Sequence, residues 1–227
     1  MSATALVAGV GPGLGAALTT ALAAKGYTVF AAARRAPKVV AAERVVPGAC
    51  DATDPAQVER LLEQCESAGP LAVAIYNAGA FERRAVVDTS PEDFERCWRV
   101  GCFGGFLVGR AAAQAMLARR TGTILFTGAT ASLRGGAGFV NLAAPKFALR
   151  ALAQCMAREL GPQGIHVAHV IIDGQIRSER YAHLVAERGA DALLEPDAIA
   201  AAYMALLEQP RTAWTHEIDL RPWVEKF

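Results

Sequence analysis

Apolar residues occur along the chain in short continuous runs, and each run is followed by a turn and an alanine-rich stretch with helical spacing. A continuous run, unlike an alternation of apolar and polar positions, is typical of a strand that is buried on both faces. The runs predict seven strands, at Thr4–Ala8, Thr28–Ala33, Val45–Cys50, Leu71–Tyr76, Gly122–Thr127, His166–Ile172 and His216–Leu220.

Helical spacing fills most of the segments between these runs. It predicts helices at Leu14–Lys25, Pro55–Ser67, Ser90 to about Arg119, Pro145–Leu160 and Pro196–Glu208. Asp54 is a favourable N-cap for the second helix, and Gly26 is a favourable residue just past the end of the first. The alternation predicts an α/β protein in which a parallel sheet lies between two layers of helices, and residues 1–227 are expected to form a single domain. The stretch Arg177–Leu194 is the least regular, which makes it a candidate lid.

The composition argues against several classes of protein. Of 227 residues, 53% are hydrophobic, and 23 Lys and Arg are balanced by 22 Asp and Glu. This balance is not typical of a nucleic-acid-binding protein, and no uncharged apolar stretch of about 18 residues indicates a membrane span. The first apolar run has no basic residues before it and ends at glycines within one strand length, so we expect no signal peptide. No membrane or nucleic-acid partner is expected.

The cysteines indicate free thiols. None of the five forms a C-x-x-C pair, and none of the four histidines lies near a cysteine pair. We therefore expect no metal site, and the reducing compartment that keeps thiols free suggests a cytoplasmic protein.

The turn after the first strand carries the most informative motif. Residues 9–15 are Gly-Val-Gly-Pro-Gly-Leu-Gly, between a predicted strand and a predicted helix. Glycines at such a turn allow the backbone to approach a pyrophosphate closely, and the positive end of the helix dipole then faces the phosphates. The motif predicts a dinucleotide site near the N-terminus.

The spacing Gly9-x-x-x-Gly13-x-Gly15 resembles the fingerprint of the short-chain dehydrogenase/reductase family. Further landmarks of that family follow in order over nearly the whole chain, at Asp51, at Asn77-Ala78-Gly79 and at Lys146. The resemblance implies a Rossmann-type doubly wound parallel seven-stranded sheet flanked by helices, a nicotinamide cofactor, and a homodimer or homotetramer. It also implies that the cofactor is bound by Gly9, Gly13, Leu14, Gly15, Asp51, Ala52, Asn77, Ala78, Gly79, Lys146, Gly174 and Ile176.

The end of the second strand predicts which cofactor is used. Family members specific for NAD place an acidic residue there, whereas this chain has Ala33 followed by Arg34 and Arg35. An acid would repel a 2′-phosphate, and guanidinium groups pair with one in a fork geometry. We therefore expect NADP(H), bound in part by Arg34 and Arg35.

The resemblance also locates the four working residues of the family, an Asn, a Ser, a Tyr and a Lys. Lys146 keeps the lysine, and counting back from it places Leu142 at the Tyr position and Ala129 at the Ser position, while Gly101 stands at the Asn position. In the family the Tyr protonates the carbonyl oxygen, and loss of such a positioned acid costs about 10²- to 10⁴-fold in rate. Lys146 is thus the remaining catalytic candidate, and an atypical active site is expected.

Neighbouring side chains leave alternatives open. Thr130 and Ser132 carry hydroxyls close to position 129, and either could reach the site. Asn141 is interpreted as a helix N-cap, because adjacent helical residues point about 100° apart and it could not replace its neighbour at position 142. Pro145 is expected close to the start of its helix.

Residues of the later loops have two interpretations each. Asp173 is either an acid at the active site or a turn residue before a glycine. Arg134, Tyr181 and His183 are either substrate contacts or solvated loop residues.

Three functions are compatible with these patterns. The first is an NADP(H)-dependent oxidoreductase of a small, partly apolar carbonyl, imine or related substrate, with the proton supplied by water, Lys146 or Asp173. The second is a non-redox lyase, isomerase or cyclase on the same scaffold, and the third is a catalytically inactive NADP(H)-binding protein. We favour the first.

Overall fold

The computed structural model describes residues 2–35 and 43–225, so the ends of the predicted domain 1–227 and a short internal segment lie outside the described residues. The described residues contain seven strands: β1 (Thr4–Ala8), β2 (Thr28–Ala33), β3 (Val45–Ala49), β4 (Leu71–Tyr76), β5 (Gly122–Thr127), β6 (Ile165–Ile172) and β7 (Glu217–Leu220). They form one parallel sheet in the order β3-β2-β1-β4-β5-β6-β7, which confirms the predicted Rossmann-type fold.

The α-helices of the described residues are α1 (Leu14–Ala24), α2 (Pro55–Ala68), α3 (Pro91–Trp98), α4 (Gly104–Leu117), α5 (Val140–Leu160), α6 (His183–Arg188) and α7 (Pro196–Leu207). One face of the sheet packs on α2, α4 and α5, and the other packs on α1 and α7. The apolar runs of the central strands are continuous because both faces of the sheet are buried in this way.

The ends of two helices agree with the predicted capping residues. The Asp54 side chain accepts hydrogen bonds from the backbone N–H groups of Ala56 and Gln57, at 2.9 and 3.2 Å. Gly26 follows α1 with a φ of +91°, in the left-handed region that favours glycine at this position. The two hydrogen bonds to Asp54 satisfy backbone N–H groups of the first turn of α2 that have no partner within the helix.

The predicted long helix is continuous but contains a change of geometry. A π-helical segment, Arg99–Phe103, joins α3 to α4. The whole stretch Pro91–Leu117 is long and apolar enough to cross a membrane, with a mean hydropathy of 1.3 over its most apolar window. More than half of that window is buried inside the protein, and a core helix has the same composition, so this is weak evidence for a membrane span.

Helix α5 begins earlier than predicted. Its first residue is Val140, which places Pro145 inside the helix and not near its start. Asn141 is therefore a fully buried residue of the first helical turn, and the interpretation of this residue as an N-cap is wrong; Phe139 occupies that position. A proline beyond the first turn removes one helical hydrogen bond, so another contact has to make this position favourable.

The order of the strands determines where a ligand can bind. The chain leaves β1 in one direction to build β2 and β3, and returns to add β4 to β7 on the other side. Such a reversal opens a crevice beyond the carboxyl ends of the two central strands, here β1 and β4.

Candidate functional site

A cavity of about 570 Å³ occupies this crevice. Most of the residues predicted to bind a cofactor line it: Gly9, Gly13, Leu14, Gly15, Arg34, Asp51, Ala52, Asn77, Ala78, Gly79 and Ile176. Three predicted residues, Arg35, Lys146 and Gly174, are not part of its wall. We call this space the cofactor cavity.

The glycine turn forms one wall of the cofactor cavity. Gly9 has a φ of +100°, and a Cβ at this position would collide with the backbone nitrogen of Ala78. Gly11 and Gly13, unlike Gly9, face open space: a Cβ at either position would meet no atom within 4 Å, and both residues line the cavity. The turn therefore packs tightly against β4 on one side and leaves backbone exposed to a ligand at the N-terminus of α1 on the other.

Two polar side chains are fixed around the same cavity. Asn77 donates a hydrogen bond from Nδ2 to the carbonyl oxygen of Gly9 at 2.9 Å, which ties the end of β4 to the glycine turn. Asp51 accepts hydrogen bonds at Oδ1 from the backbone N–H and the hydroxyl of Thr53, at 2.9 and 2.8 Å. Its second carboxylate oxygen makes no hydrogen bond to another described residue, and Asp51 lines the cavity.

The end of β2 carries no acid. Ala33 and Arg34 line the cofactor cavity, and within the described residues the Arg34 guanidinium has no ion-pair partner. Arg35 is exposed and lies outside the cavity wall. Of the two predicted arginines, the structure thus places Arg34 alone beside the cavity.

A second cavity of about 530 Å³ adjoins the first on the side of β5 and β6, and we call it the substrate cavity. Its apolar wall includes Leu142 and the stacked rings of Phe81 and Phe139, whose centroids are 5.1 Å apart. Ala129 and Arg134 also line it. The space suits a small ligand with an apolar body.

A hydroxyl and a carboxylate form a hydrogen-bonded pair in the wall of the substrate cavity. The Thr130 hydroxyl donates a hydrogen bond to Oδ1 of Asp173, and Nη2 of Arg221 lies 3.3 Å from Oδ2. Asp173 is only 4% exposed although it follows a strand as a turn residue would. It is therefore a buried, paired carboxylate at the cavity.

The side chains at positions 101, 129 and 142, where the resemblance implies the family's Asn, Ser and Tyr, are apolar or small. Leu142 and Ala129 lie in the wall of the substrate cavity, and neither side chain has a proton to donate. Gly101 lies in the π-helical segment, and a Cβ there would be 2.6 Å from Cβ of Pro145.

Lys146 is buried behind the wall of the cofactor cavity. Its Nζ donates a hydrogen bond of 2.6 Å to the carbonyl oxygen of Thr127, a residue that does line that cavity. Burial lowers the pKa of Lys146 to about 8. The ammonium group is thus held one residue away from the cavity surface.

Ser132 does not reach either cavity. It is fully buried, and its Oγ accepts a hydrogen bond from the backbone N–H of Ala129 at 3.1 Å and lies 3.4 Å from Nε2 of His169. His169 Nδ1 lies 3.1 Å from Glu217, which binds Arg150 through two hydrogen bonds of 2.7 Å. Of the two candidate hydroxyls, only Thr130 belongs to the site.

No motif in the sequence indicates this buried network. Its only local signals are a histidine in an apolar strand and a glutamate in the last strand, and their contact depends on the pairing of β6 with β7. Burial lowers the pKa of His169 to about 4, against the opposing effect of Glu217. The network reaches the loop between Thr127 and Ser132 through the Ser132 hydroxyl, which contacts His169 and the backbone of Ala129.

The two cavities meet at the candidate lid. Ile176 and Tyr181 line both, whereas His183 lines neither and is exposed. Gly174, predicted to contact the cofactor, lines the substrate cavity. A ligand in either cavity would therefore lie against Tyr181.

Comparison with known proteins identifies the family. The model of the short chain dehydrogenase family matches residues 3–220. The chain belongs to this family. A (3R)-3-hydroxyacyl-CoA dehydrogenase of Canis lupus familiaris is 34% identical over 188 residues, which cover 75% of this chain and 73% of the relative.

Solved structures of the short-chain dehydrogenase family share the fold. A short-chain dehydrogenase from Rhodopseudomonas palustris has a TM-score of 0.84 and 39% identity, with 97% of this chain and 99% of that chain covered. A metagenomic short-chain oxidoreductase in complex with NADP has a TM-score of 0.81 and 23% identity, with 98% of each chain covered. This short-chain dehydrogenase is thus an oxidoreductase of a family that uses NAD(H) or NADP(H).

The cofactor cavity fits such a dinucleotide. Its glycine wall leaves room for phosphates at Gly11 and Gly13, and Asp51 is oriented towards the cavity. Within the described residues, no group of His, Cys, Asp and Glu is arranged to hold a metal ion.

Proposed function

We propose that this short-chain dehydrogenase is an NADP(H)-dependent oxidoreductase that acts on a small, partly apolar carbonyl, imine or related compound. The observation that supports NADP(H) most directly is Arg34, next to Ala33 at the rim of a glycine-walled cavity, whose guanidinium has no acidic partner among the described residues. A carboxylate at this rim would favour a free ribose hydroxyl, whereas a guanidinium favours a phosphate.

The residues around the cavities have separate tasks in this proposal. The backbone of the glycine turn holds the pyrophosphate, and Asp51 contacts the adenine end. When bound, the cofactor supplies hydride. Phe139 and Leu142 exclude water from the substrate and orient its apolar body towards the place where the cavities meet.

Lys146 takes a cofactor-orienting role in the proposal. Its bond to the Thr127 carbonyl keeps the ammonium beside the part of the cavity where the nicotinamide ribose would lie, as the family resemblance implies. Lys146 lines neither cavity, so its ammonium group cannot pass a proton directly to a substrate. Lys146 is therefore a poor proton donor.

We further propose that the catalytic set lacks the Asn, Ser and Tyr of the family and that the proton comes from elsewhere. The support is the sequence itself, with Gly101, Ala129 and Leu142 at those positions. A single domain, a homodimer or homotetramer, and a cytoplasmic location stay predictions.

The experiment is a calorimetric titration with NADPH and with NADH, followed by an assay of NADPH oxidation. NADPH is expected to bind at least about tenfold more tightly, which corresponds to about 1.4 kcal/mol. The assay uses 4-nitrobenzaldehyde, an activated carbonyl, and the N-methyl-3,4-dihydroisoquinolinium ion, a permanent iminium. Equal affinity for both nucleotides would contradict the NADP(H) proposal, and absence of NADPH oxidation with both compounds would contradict the reductase proposal.

A further inference from the structure

The place where the two cavities meet is where a reaction would occur. Hydride transfer requires the substrate to lie against the nicotinamide, so the reacting carbonyl has to be near side chains that line both cavities. Among the described residues, Ile176 and Tyr181 do so. Only the tyrosine carries a proton that it can donate.

The other three tyrosines of the chain are excluded by their positions. Tyr76 is buried and its hydroxyl donates a hydrogen bond of 2.5 Å to the carbonyl oxygen of Val100. Tyr203 is buried and its hydroxyl is 2.8 Å from that of Thr127. Tyr27 precedes β2 and so lies at the amino end of that strand, whereas the cofactor cavity lies at its carboxyl end, beside Ala33.

The Tyr181 hydroxyl differs from the buried ones because it is free to bind a ligand. Its side chain is partly exposed, and its hydroxyl makes no hydrogen bond to any other described residue. A phenol that faces a cavity with its proton uncommitted can donate to an oxygen placed there.

The competing polar pair of the substrate cavity is suited to accept hydrogen bonds. The Thr130 hydroxyl already donates its proton to Asp173, and Asp173 is also paired with Arg221. The pair can orient a substrate, but it does not present a proton to an oxygen.

The segment that carries Tyr181 is fixed at both ends. Ile176 forms a β-bridge with Leu194, and the backbone N–H of Arg177 bonds to the carbonyl of Leu194 at 2.9 Å. The guanidinium of Arg180 lies 5.4 Å from the centre of the Tyr181 ring, a cation–π contact that restrains the ring. The phenol is therefore presented to the cavities by an anchored loop.

We propose that Tyr181 is the catalytic proton donor of this short-chain dehydrogenase, in place of the tyrosine that its family carries at position 142. The inference rests on the proposed reductase function. The carbonyl carbon gains hydride from NADPH, which becomes NADP⁺, and the electron pair of the C=O π bond moves to oxygen. That oxygen takes the proton of the Tyr181 hydroxyl, and water returns a proton to the phenolate through the open side of the cavity.

The first test measures a hydrogen bond and not a rate. In 4-(dimethylamino)cinnamaldehyde the absorption band moves to longer wavelength when the aldehyde oxygen accepts a hydrogen bond. With NADP⁺ bound, which cannot reduce the aldehyde, the wild-type protein and the control variant Tyr27→Phe are expected to shift the band, and Tyr181→Phe is not. Each substitution removes one hydroxyl and keeps the ring. No shift in the wild-type protein, or the same shift in Tyr181→Phe, would overturn the inference.

The second test separates a proton donor from a structural residue. Reduction of 4-nitrobenzaldehyde needs a proton on oxygen, whereas the N-methyl-3,4-dihydroisoquinolinium ion needs hydride alone. We expect Tyr181→Phe to lower kcat for the aldehyde by about 10²- to 10⁴-fold and to change kcat for the iminium ion by less than about threefold. Equal losses on both would show a structural role and overturn the inference alone. No turnover of either by the wild-type protein would overturn the reductase proposal together with it.

Discussion

Gly101 and Pro145 are packed so closely that the proline ring leaves no room for a side chain at position 101. A Cβ on Gly101 would lie 2.6 Å from Cβ of Pro145 and 3.0 Å from its Cγ. The π-helical segment that contains Gly101 and the proline within α5 therefore fit together only because position 101 has no side chain. An asparagine, which the family resemblance implies for this position, cannot be accommodated next to this proline.

The packing predicts that Gly101→Ala destabilises the protein, although alanine is the better helix former. Overpacking of this kind costs about 1–3 kcal/mol of the free energy of unfolding, against a gain of about 1 kcal/mol or less in helix propensity. Chemical denaturation of Gly101→Ala measures the net effect.

A double-mutant cycle with Pro145→Gly provides the control. This second substitution removes the atoms that a new Cβ would meet, so Gly101→Ala should cost much less in its presence, with a coupling of about 1 kcal/mol or more. Additive effects would mean that the helices move apart at no cost and that the two residues are independent.

Much of the fold could be predicted from the sequence because its strands are buried on both faces. The bounds of β1, β2, β4 and β5 agree with the apolar runs, since each of these strands pairs on both sides and lies between helices. The edge strand β3 is partly exposed and contains Pro47, and its end at Ala49 was predicted one residue late. Edge strands carry weaker patterns and tolerate proline.

The features that could not be predicted depend on contacts between distant segments. A proline inside a helix is unfavourable, so the sequence alone predicts that α5 starts at Pro145. The glycine that leaves room for the proline ring, Gly101, belongs to a distant segment of the chain. The convergence of His169 and Glu217 likewise follows from the register of two strands. The position of Tyr181 between the cavities depends on how a loop without a regular pattern folds back.

Arg34 and Arg35 should contribute unequally to cofactor binding. Charge-assisted hydrogen bonds contribute about 1.5–3 kcal/mol, so Arg34→Gln should weaken NADPH binding by roughly 10- to 150-fold and leave NADH binding nearly unchanged. Arg35→Gln is the matched control, because Arg35 is exposed outside the cavity wall. Calorimetric titration of both variants measures the difference, and a larger loss in the Arg35 variant would refute the assignment.

His169 should make the protein less stable in weak acid. Burial holds its pKa at about 4 in the folded protein, below the ordinary value of 6.5. Between these two values the unfolded chain binds a proton that the folded protein does not, so the free energy of unfolding rises with pH over this window. The contribution is complete above pH 6.5 and is lost as the pH falls towards 4, by on the order of 3 kcal/mol.

Thermal unfolding between pH 4.5 and 7 checks this expectation. The variant His169→Gln lacks the titrating group, so its stability should depend less on pH in this window than that of the wild-type protein. His183→Gln, at an exposed position, should follow the wild-type curve. Parallel curves for His169→Gln and wild type would mean that other groups cause the pH dependence.

Lys146→Met should stabilise the protein while it weakens cofactor binding. Burial lowers the pKa of Lys146 to about 8 from the ordinary 10.5, so at pH 7 the folded protein bears the full cost of a buried ammonium group. That cost is on the order of 3 kcal/mol. The substitution removes it but leaves the Thr127 carbonyl without its hydrogen bond, a loss of about 1–2 kcal/mol. The net expectation at pH 7 is a gain of roughly 1–2 kcal/mol in the free energy of unfolding.

The pH dependence identifies the cause of this gain. From pH 8 to pH 10.5 the unfolded chain keeps a proton that the folded wild-type protein has released, so wild-type stability rises with pH and the advantage of Lys146→Met shrinks. Lys25→Met, which removes one partner of the exposed Lys25–Glu208 pair, should change stability little and without this trend. Lower stability of Lys146→Met at pH 7, with NADPH affinity unchanged, would show that the lysine stabilises the fold and does not serve the cofactor site.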